Sequence, residues 1–274
     1  PDYCHFMPET HVDGINRETG HLTVTYKNKE GKGTLTSRIV IGAEGEKPVV
    51  TRHLGLEHYR KKKHLLGAIR VYYKNVKGFN SANHLEFFFD KNIMPGYFWA
   101  FPLSNNEANV GLGMLSSAIA ERKFNLKKAF FEMVNEHPLL RDRFAEAEAL
   151  EKPRGWGLPS ITPKRTIAGE SYALIGDAAG MIDPFNGKGI GPGMVSARVC
   201  SEHLEEALLN KDYQMLPYQE HMYRYYRNEI KIGYTLQRSL RYPMALNTAI
   251  GILNLPAIKR MSQNMVEKAW KGWM

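Results

Sequence analysis

The 274 residues, 43% of them hydrophobic, 24% charged and 11% aromatic, suffice for one large or two modest domains with a sizeable core. That composition argues against a disordered chain, and the lack of any run of eighteen apolar residues against a membrane-spanning segment. Thirty-seven Lys and Arg against 28 Asp and Glu leave +9, a field that favours anionic ligands, phosphates or an acidic membrane surface. Cys4 and Cys200 lie far apart and outside any CxxC spacing, so a disulfide scaffold and a cysteine-rich zinc site are excluded and a reducing, cytoplasmic compartment is expected. The first residue is Pro1 and no signal-like segment follows it, so the chain is expected to begin downstream of a true start.

Along the chain, alternation predicts strands at 21–26 and 34–36 around a turn at 28–33, then an apolar strand at 37–41. That strand closes in Gly42-Ala43-Glu44-Gly45, an ending that suits a loop where backbone comes close to another group. The basic run Arg60-Lys61-Lys62-Lys63-His64 reads as a solvated face or loop and precedes a strand at 65–73. Further strands are expected at 84–90, 97–102 and 108–114, the last two joined by a turn at Ser104-Asn105-Asn106. Tyr97, Trp99 and Phe101 then share one face, as do Leu85, Phe87 and Phe89, giving an antiparallel sheet with an aromatic wall.

The pattern turns helical over 124–150, broken near Pro138, with Phe130, Phe131 and Val134 as an apolar stripe. A short buried strand at 172–175 runs into a glycine-rich stretch. After it, Ile190, Met194, Ala197, Ser201, Leu204 and Leu208 are expected to form the apolar face of a helix, with Pro192 in its first turn. The remainder, 213–274, reads as mostly helical.

GxxxxGK[ST], HExxH, GxSxG and GxGxxG are all missing, since Gly189-Ile190-Gly191-Pro192-Gly193 is followed by Met194, and the ten histidines form no metal-ligand spacing. Hydrolytic and metal chemistry lose ground. What remains is strand, acidic residue, glycine loop and helix between Tyr172 and Leu208. A helix start there aims unpaired N–H groups and a partial positive charge outward, where an electron-rich ligand edge is favoured. Asp177, at the strand's carboxyl end, suits hydrogen bonds from a polyol. The same residues also suit a capped turn with glycines that allow tight packing.

Gly176-Asp177-Ala178-Ala179-Gly180, followed by Asp183-Pro184 and Gly187-Lys188-Gly189-Ile190-Gly191, resembles the second FAD-binding motif of flavoproteins with the para-hydroxybenzoate hydroxylase fold. Tyr97-Phe98-Trp99-Ala100-Phe101-Pro102 with Ala108-Asn109-Val110-Gly111-Leu112-Gly113 is similar to the geranylgeranyl reductase branch of that superfamily. The resemblance implies an α/β fold: a partial FAD-binding, Rossmann-like domain with an antiparallel-sheet substrate domain and C-terminal helices. Its divisions fall at 1–57 (remnant of the FAD-binding domain), 58–152 (substrate-binding sheet plus helix), 153–210 (returning FAD-binding segment) and 211–274 (helical region).

It further implies FAD as cofactor, with Gly176 and Asp177 at the ribityl chain, Pro184, Gly187, Lys188, Gly189, Ile190 and Gly191 at the isoalloxazine, and Gly42 and Glu44 as a further contact. Tyr97, Trp99, Phe101 and Pro102 would line the cavity for an apolar, isoprenoid substrate whose carbon–carbon double bonds are reduced, with NAD(P)H or a protein as electron donor. Some positions depart from the pattern. Glu44 stands where Asp is usual, Lys188 where an acidic residue is common, Pro95 lies one residue closer to Tyr97, and the N-terminal GxGxxG is absent. Two other readings stay open: an FAD-dependent monooxygenase or halogenase-like enzyme, and a non-catalytic lipid- or anion-binding fragment. Nucleic-acid binding is not expected, because the basic residues are scattered, whereas the basic, aromatic C-terminal region permits peripheral membrane contact.

Overall fold

A computed structural model describes residues 4–56, 61–80, 84–239 and 242. The chain opens with an antiparallel sheet of β1 (His11–Glu18), β2 (His21–Asn28) and β3 (Gly31–Ser37). β1 is not among the strands read from the sequence, because its stretch His-Val-Asp-Gly-Ile-Asn-Arg-Glu carries only two large apolar residues, Val12 and Ile15. The turn is also tighter than expected: Asn28 Oδ1 accepts from the amides of Glu30 and Gly31, so β3 starts at Gly31. The strands expected at 34–36 and 37–41 are parted at Arg38 and Ile39, and β4 (Val40–Gly42) joins a different sheet.

In that second sheet β4 pairs in parallel with β12 (Tyr172–Leu174), which is flanked antiparallel by β11 (Ala168–Gly169). Parallel pairing puts the carboxyl ends of β4 and β12 side by side, where ligands of open α/β sheets are held. The one-turn helix α1 (Val50–His53) follows the β4 loop.

The largest sheet contains β5 (Leu65–Lys74), β6 (Glu86–Phe88), β7 (Gly96–Pro102), β8 (Glu107–Leu115) and β10 (Arg154–Pro159), in the order β10-β5-β8-β7-β6, with the two-residue β9 (Glu148–Ala149) at the end of β5. β6 is shorter than the strand expected at 84–90. α2 (Ser116–Glu121) follows β8, and the helical stretch expected over 124–150 is α3 (Leu126–Glu136) and α4 (Arg141–Phe144), broken at Pro138 as expected and ending before β9. Asn125 caps α3 by accepting from Lys128 N, and the helix stops at His137, which Pro138 forces into extended backbone. Phe98, Ala100, Val110, Leu112 and Phe130 are fully buried between this sheet and α3.

The chain then returns to the parallel pair and ends its described part with α5 (Ile190–Asn210), α6 (Leu216–Tyr225) and α7 (Arg227–Ser239). The helical reading of the residues after 242 lies outside the described residues. α5 packs through Pro192, Val195, Ser196, Val199, Cys200 and Ala207, which corrects the face read from the sequence. On the expected stripe Ile190 is 83% and Met194 70% exposed. Small residues win the inner position because α5 approaches backbone there, with Gly193 against Gly176. Ser196, fully buried, accepts from Gly176 N at 2.9 Å and donates to Gly193 O at 2.6 Å.

The two faces of β7 predict different penalties. Phe98→Ala, on the buried face, is expected to cost about 3–5 kcal/mol. Phe101→Ala, on the open face, should cost markedly less. Denaturant midpoints at unchanged m-value compare the two.

Candidate cofactor loop and aromatic trough

β12 delivers Gly176 and Asp177 into a 3-10 turn, Gly176–Ala179, at the carboxyl end of the parallel pair. Ile175 N donates to Gly42 O at 2.9 Å, so the Gly42 and Gly176 loops leave the sheet together. Burial pushes the Asp177 carboxyl above the usual carboxylate range. One of its oxygens lies 3.4 Å from where a Cβ on Gly189 would stand. Glu44 is differently engaged: its Oε1 accepts from Val49 N at 3.2 Å and Val50 N at 3.0 Å and so caps α1.

The loop 183–189 folds on its own side chains. Asp183 Oδ1 accepts from Phe185 N and Asn186 N, Asn186 Oδ1 accepts from Lys188 N, and Asp183 N donates to Lys188 O. The loop is thus a rigid platform for the α5 N-terminus. Among the described residues the amides of Gly189, Ile190 and Gly191 find no protein acceptor. Gly191 has open space around it, and the start of a 21-residue helix adds its partial positive charge there. A cavity of about 290 Å³ adjoins this point, lined by Pro184, Lys188, Gly191 and Met194 and by Tyr225 and Glu229 from the C-terminal helices. A larger one, about 780 Å³, lies behind the big sheet against α3 and touches none of the motif residues.

Tyr97, Trp99 and Phe101 share the open face of β7, with the Phe87 ring 5.5 Å from Tyr97 and 5.1 Å from Phe101. Pro102 has the other parity, with Phe98 and Ala100. Trp99 stands opposite Gly111, and Tyr97 opposite Gly113. Gly111 is required by the indole, since a Cβ there would lie 2.1 Å from Trp99 Cζ2, whereas one on Gly113 would make ordinary contact at 3.6 Å from Cζ3. Trp99 Nε1 donates to Asn109 Oδ1 at 3.0 Å, which fixes the ring flat across the trough.

The two halves of the site meet at Tyr97. Its hydroxyl donates to Asn186 O at 2.6 Å, and it lies 2.8 Å from where a side chain on Gly187 would begin, so Gly187 is required both for space and for its φ of +72°. Burial, then the nearby Asp183 carboxylate, pushes the Tyr97 phenol up to about 12. The structure therefore brings Tyr97, Trp99 and Phe101 together with the 183–191 loop. Asn109, Asn186 and Ser196 escaped the sequence reading, because nothing in an isolated Asn or Ser marks the ring or amide it will hold.

Gly111→Ala is expected to displace the indole and red-shift Trp99 emission, while Gly113→Ala should shift it less. Tyr97→Phe should cost about 0.5–1.5 kcal/mol. The phenol's folded value lies above its unfolded one, so its contribution is complete below pH 10 and lost as pH rises toward about 12. Unfolding free energy should accordingly fall more steeply over that window in the parent than in Tyr97→Phe.

Residues 66–152 match the family model of the geranylgeranyl reductase catalytic domain. Among curated relatives, digeranylgeranylglycerophospholipid reductase 2 of Methanopyrus kandleri is 30% identical over 190 residues, covering 69% of this chain and 47% of the relative. The corresponding reductase of Methanococcus aeolicus is 28% identical over 241 residues, covering 84% and 58%. The chain thus spans about half the length of the curated relatives it matches. A geranylgeranyl bacteriochlorophyll reductase-like protein from Thermoplasma acidophilum superposes with a TM-score of 0.75 at 23% identity, covering 85% of this chain and 58% of that one. Its likeness is one of fold. The trough and the glycine pair both fall within the residues that match this catalytic domain, and the geranylgeranyl reductase family is the one the chain is similar to.

Proposed function

We propose that the protein binds FAD at the 176–191 loops and reduces carbon–carbon double bonds of an isoprenoid chain laid along Tyr97, Trp99 and Phe101. The observation that carries this reading is the Tyr97 to Asn186 hydrogen bond, which makes the apolar trough continuous with the glycine loop. The names of the relatives, reductases of digeranylgeranylglycerophospholipid, support the same substrate class.

The residues fit the flavin half of the cofactor. Asp177 offers a half-buried carboxylate to ribityl hydroxyls, and no described residue donates a hydrogen bond to it. The amides of 189–191 and the α5 start suit the electron-rich edge of the ring, and the absence of a Cβ at Gly189 and Gly191 leaves it room. Bound there, FAD supplies the hydride. The chain's own work is to place and to dry. Helix charge at the α5 start would favour negative charge on a bound ring by about 0.3–1 kcal/mol. Trp99, held by Asn109, presents a flat apolar surface that orients the polyene and excludes water. Tyr97 remains a neutral phenol across the physiological range, so its proton stays on the phenol oxygen, directed at the Asn186 carbonyl.

Two outcomes are expected with the full-length protein. Asp177→Ala should weaken flavin retention by about tenfold or more, as read from the 450 nm absorbance after gel filtration, since a charge-assisted hydrogen bond is lost. Trp99→Ala should raise KM for a geranylgeranyl substrate with the flavin spectrum unchanged. A colourless parent protein that takes up no FAD overturns the reading.

A further inference from the structure

α5 and α6 bury Val199, Cys200, Ala207, Tyr218 and Met222 in one shared cluster. His203 lies three residues after Cys200 and four before Ala207, and His221 three after Tyr218, so each borders the buried face of its helix. Closing the helices on that core brings the two imidazoles together from positions 18 residues apart, a spacing that marks no metal motif in the sequence. His203 Nε2 stands 3.1 Å from His221 Nδ1, with the ring planes at 85°.

One proton between the facing nitrogens makes this a hydrogen bond, and either ring can donate it. The same separation suits a metal ion. Two imidazole nitrogens bound to one ion at about 2.0–2.1 Å stand about 3.3 Å apart in tetrahedral geometry and about 2.9 Å apart at a right angle. The observed distance falls between these. Behind His203, Glu206 Oε2 lies 3.9 Å from Nδ1, outside hydrogen-bond reach but close enough to favour a proton on that nitrogen. That tautomer turns the Nε2 lone pair toward His221, as a carboxylate does for a ligating histidine. In front of the pair lies a cavity of about 440 Å³, with Glu220 and Arg224 as its charged walls. Among the described residues no group of three His, Cys, Asp or Glu is placed to hold an ion, so water must fill the remaining positions. Imidazole donors suit zinc, nickel and copper, whereas magnesium and calcium take oxygen.

We propose that His203 and His221 form a two-histidine site for a divalent transition metal of the zinc class, which clips α5 to α6, with Glu206 orienting His203. The ion takes the place of the shared proton, which moves to the outer nitrogen of its own ring, Nδ1 of His203 or Nε2 of His221. Protons are conserved in that step. The site goes beyond the flavin and isoprenoid reading and does not depend on it. Its clip nonetheless joins the helix that begins at the glycine loop to the helix whose Tyr225 lines the cavity beside that loop.

The test is equilibrium dialysis of the purified, chelator-treated full-length protein against Zn²⁺, with Mg²⁺ as control and thermal unfolding as a second readout. The parent should hold one more equivalent of Zn²⁺ than the double variant His203→Gln, His221→Gln. Its Tm should rise with Zn²⁺ by several degrees, and that of the double variant should not. Glutamine amides still hydrogen-bond each other, so the metal-free double variant should melt close to the parent. If it does not fold, His203→Gln alone gives the comparison, since one imidazole cannot chelate. Glu206→Gln should weaken Zn²⁺ uptake about tenfold with both ligands in place. Equal Zn²⁺ uptake by parent and histidine variant, or a rise in Tm with Mg²⁺ that matches Zn²⁺, overturns the site and leaves a hydrogen-bonded pair. Glu206→Gln binding Zn²⁺ as the parent does overturns the orienting role of Glu206.

Discussion

One hydrogen bond joins the two halves of the candidate site: the Tyr97 hydroxyl on the Asn186 carbonyl, 2.6 Å long. The large sheet and the parallel pair have separate hydrophobic clusters, and each cluster is closed by its own helices. Tyr97 stands on the open face of the large sheet, and Asn186 on the loop that follows the parallel pair. Because the phenol is largely desolvated and stays neutral, the bond is made in a low dielectric, where leaving either partner unpaired is expensive. It therefore fixes the distance between the aromatic strand and the α5 N-terminus.

The remaining geometry follows from where side chains are missing. Gly111 lets the indole lie flat, and Gly187 lets the phenol reach the loop. On the other side of the same loop, Gln237 of α7 donates to Pro184 O at 2.6 Å, and Gly233 leaves space for the Pro184 ring. The loop is thus held between β7 and α7, from two elements nearly 140 residues apart in sequence.

Much of this was legible in the sequence because it rests on short-range pattern. Alternation along β5, β7 and β8 gave both the strands and the aromatic face, and the glycine clusters marked the loop. Three things were not legible. β1 pairs through backbone, and its polar side chains leave no alternation to detect. The buried face of α5 is lined with Ser, Ala, Cys and Val, so large residues at Ile190 and Met194 drew the eye to the wrong side; close approach to backbone rewards small volume over hydrophobicity. The placement of Trp99 opposite Gly111 depends on register between two strands, which no single stretch of sequence encodes.

β7 is bonded along both edges, to β6 and to β8, and cannot shift its residues independently. Its aromatic rings recur every second residue, roughly 6.6 Å apart on an extended strand. The three rings are a phenol, an indole and a phenyl group, so the surface changes character at each step, and because the strand cannot slip, the order of those surfaces relative to the glycine loop is set by the sheet and not by the rings themselves.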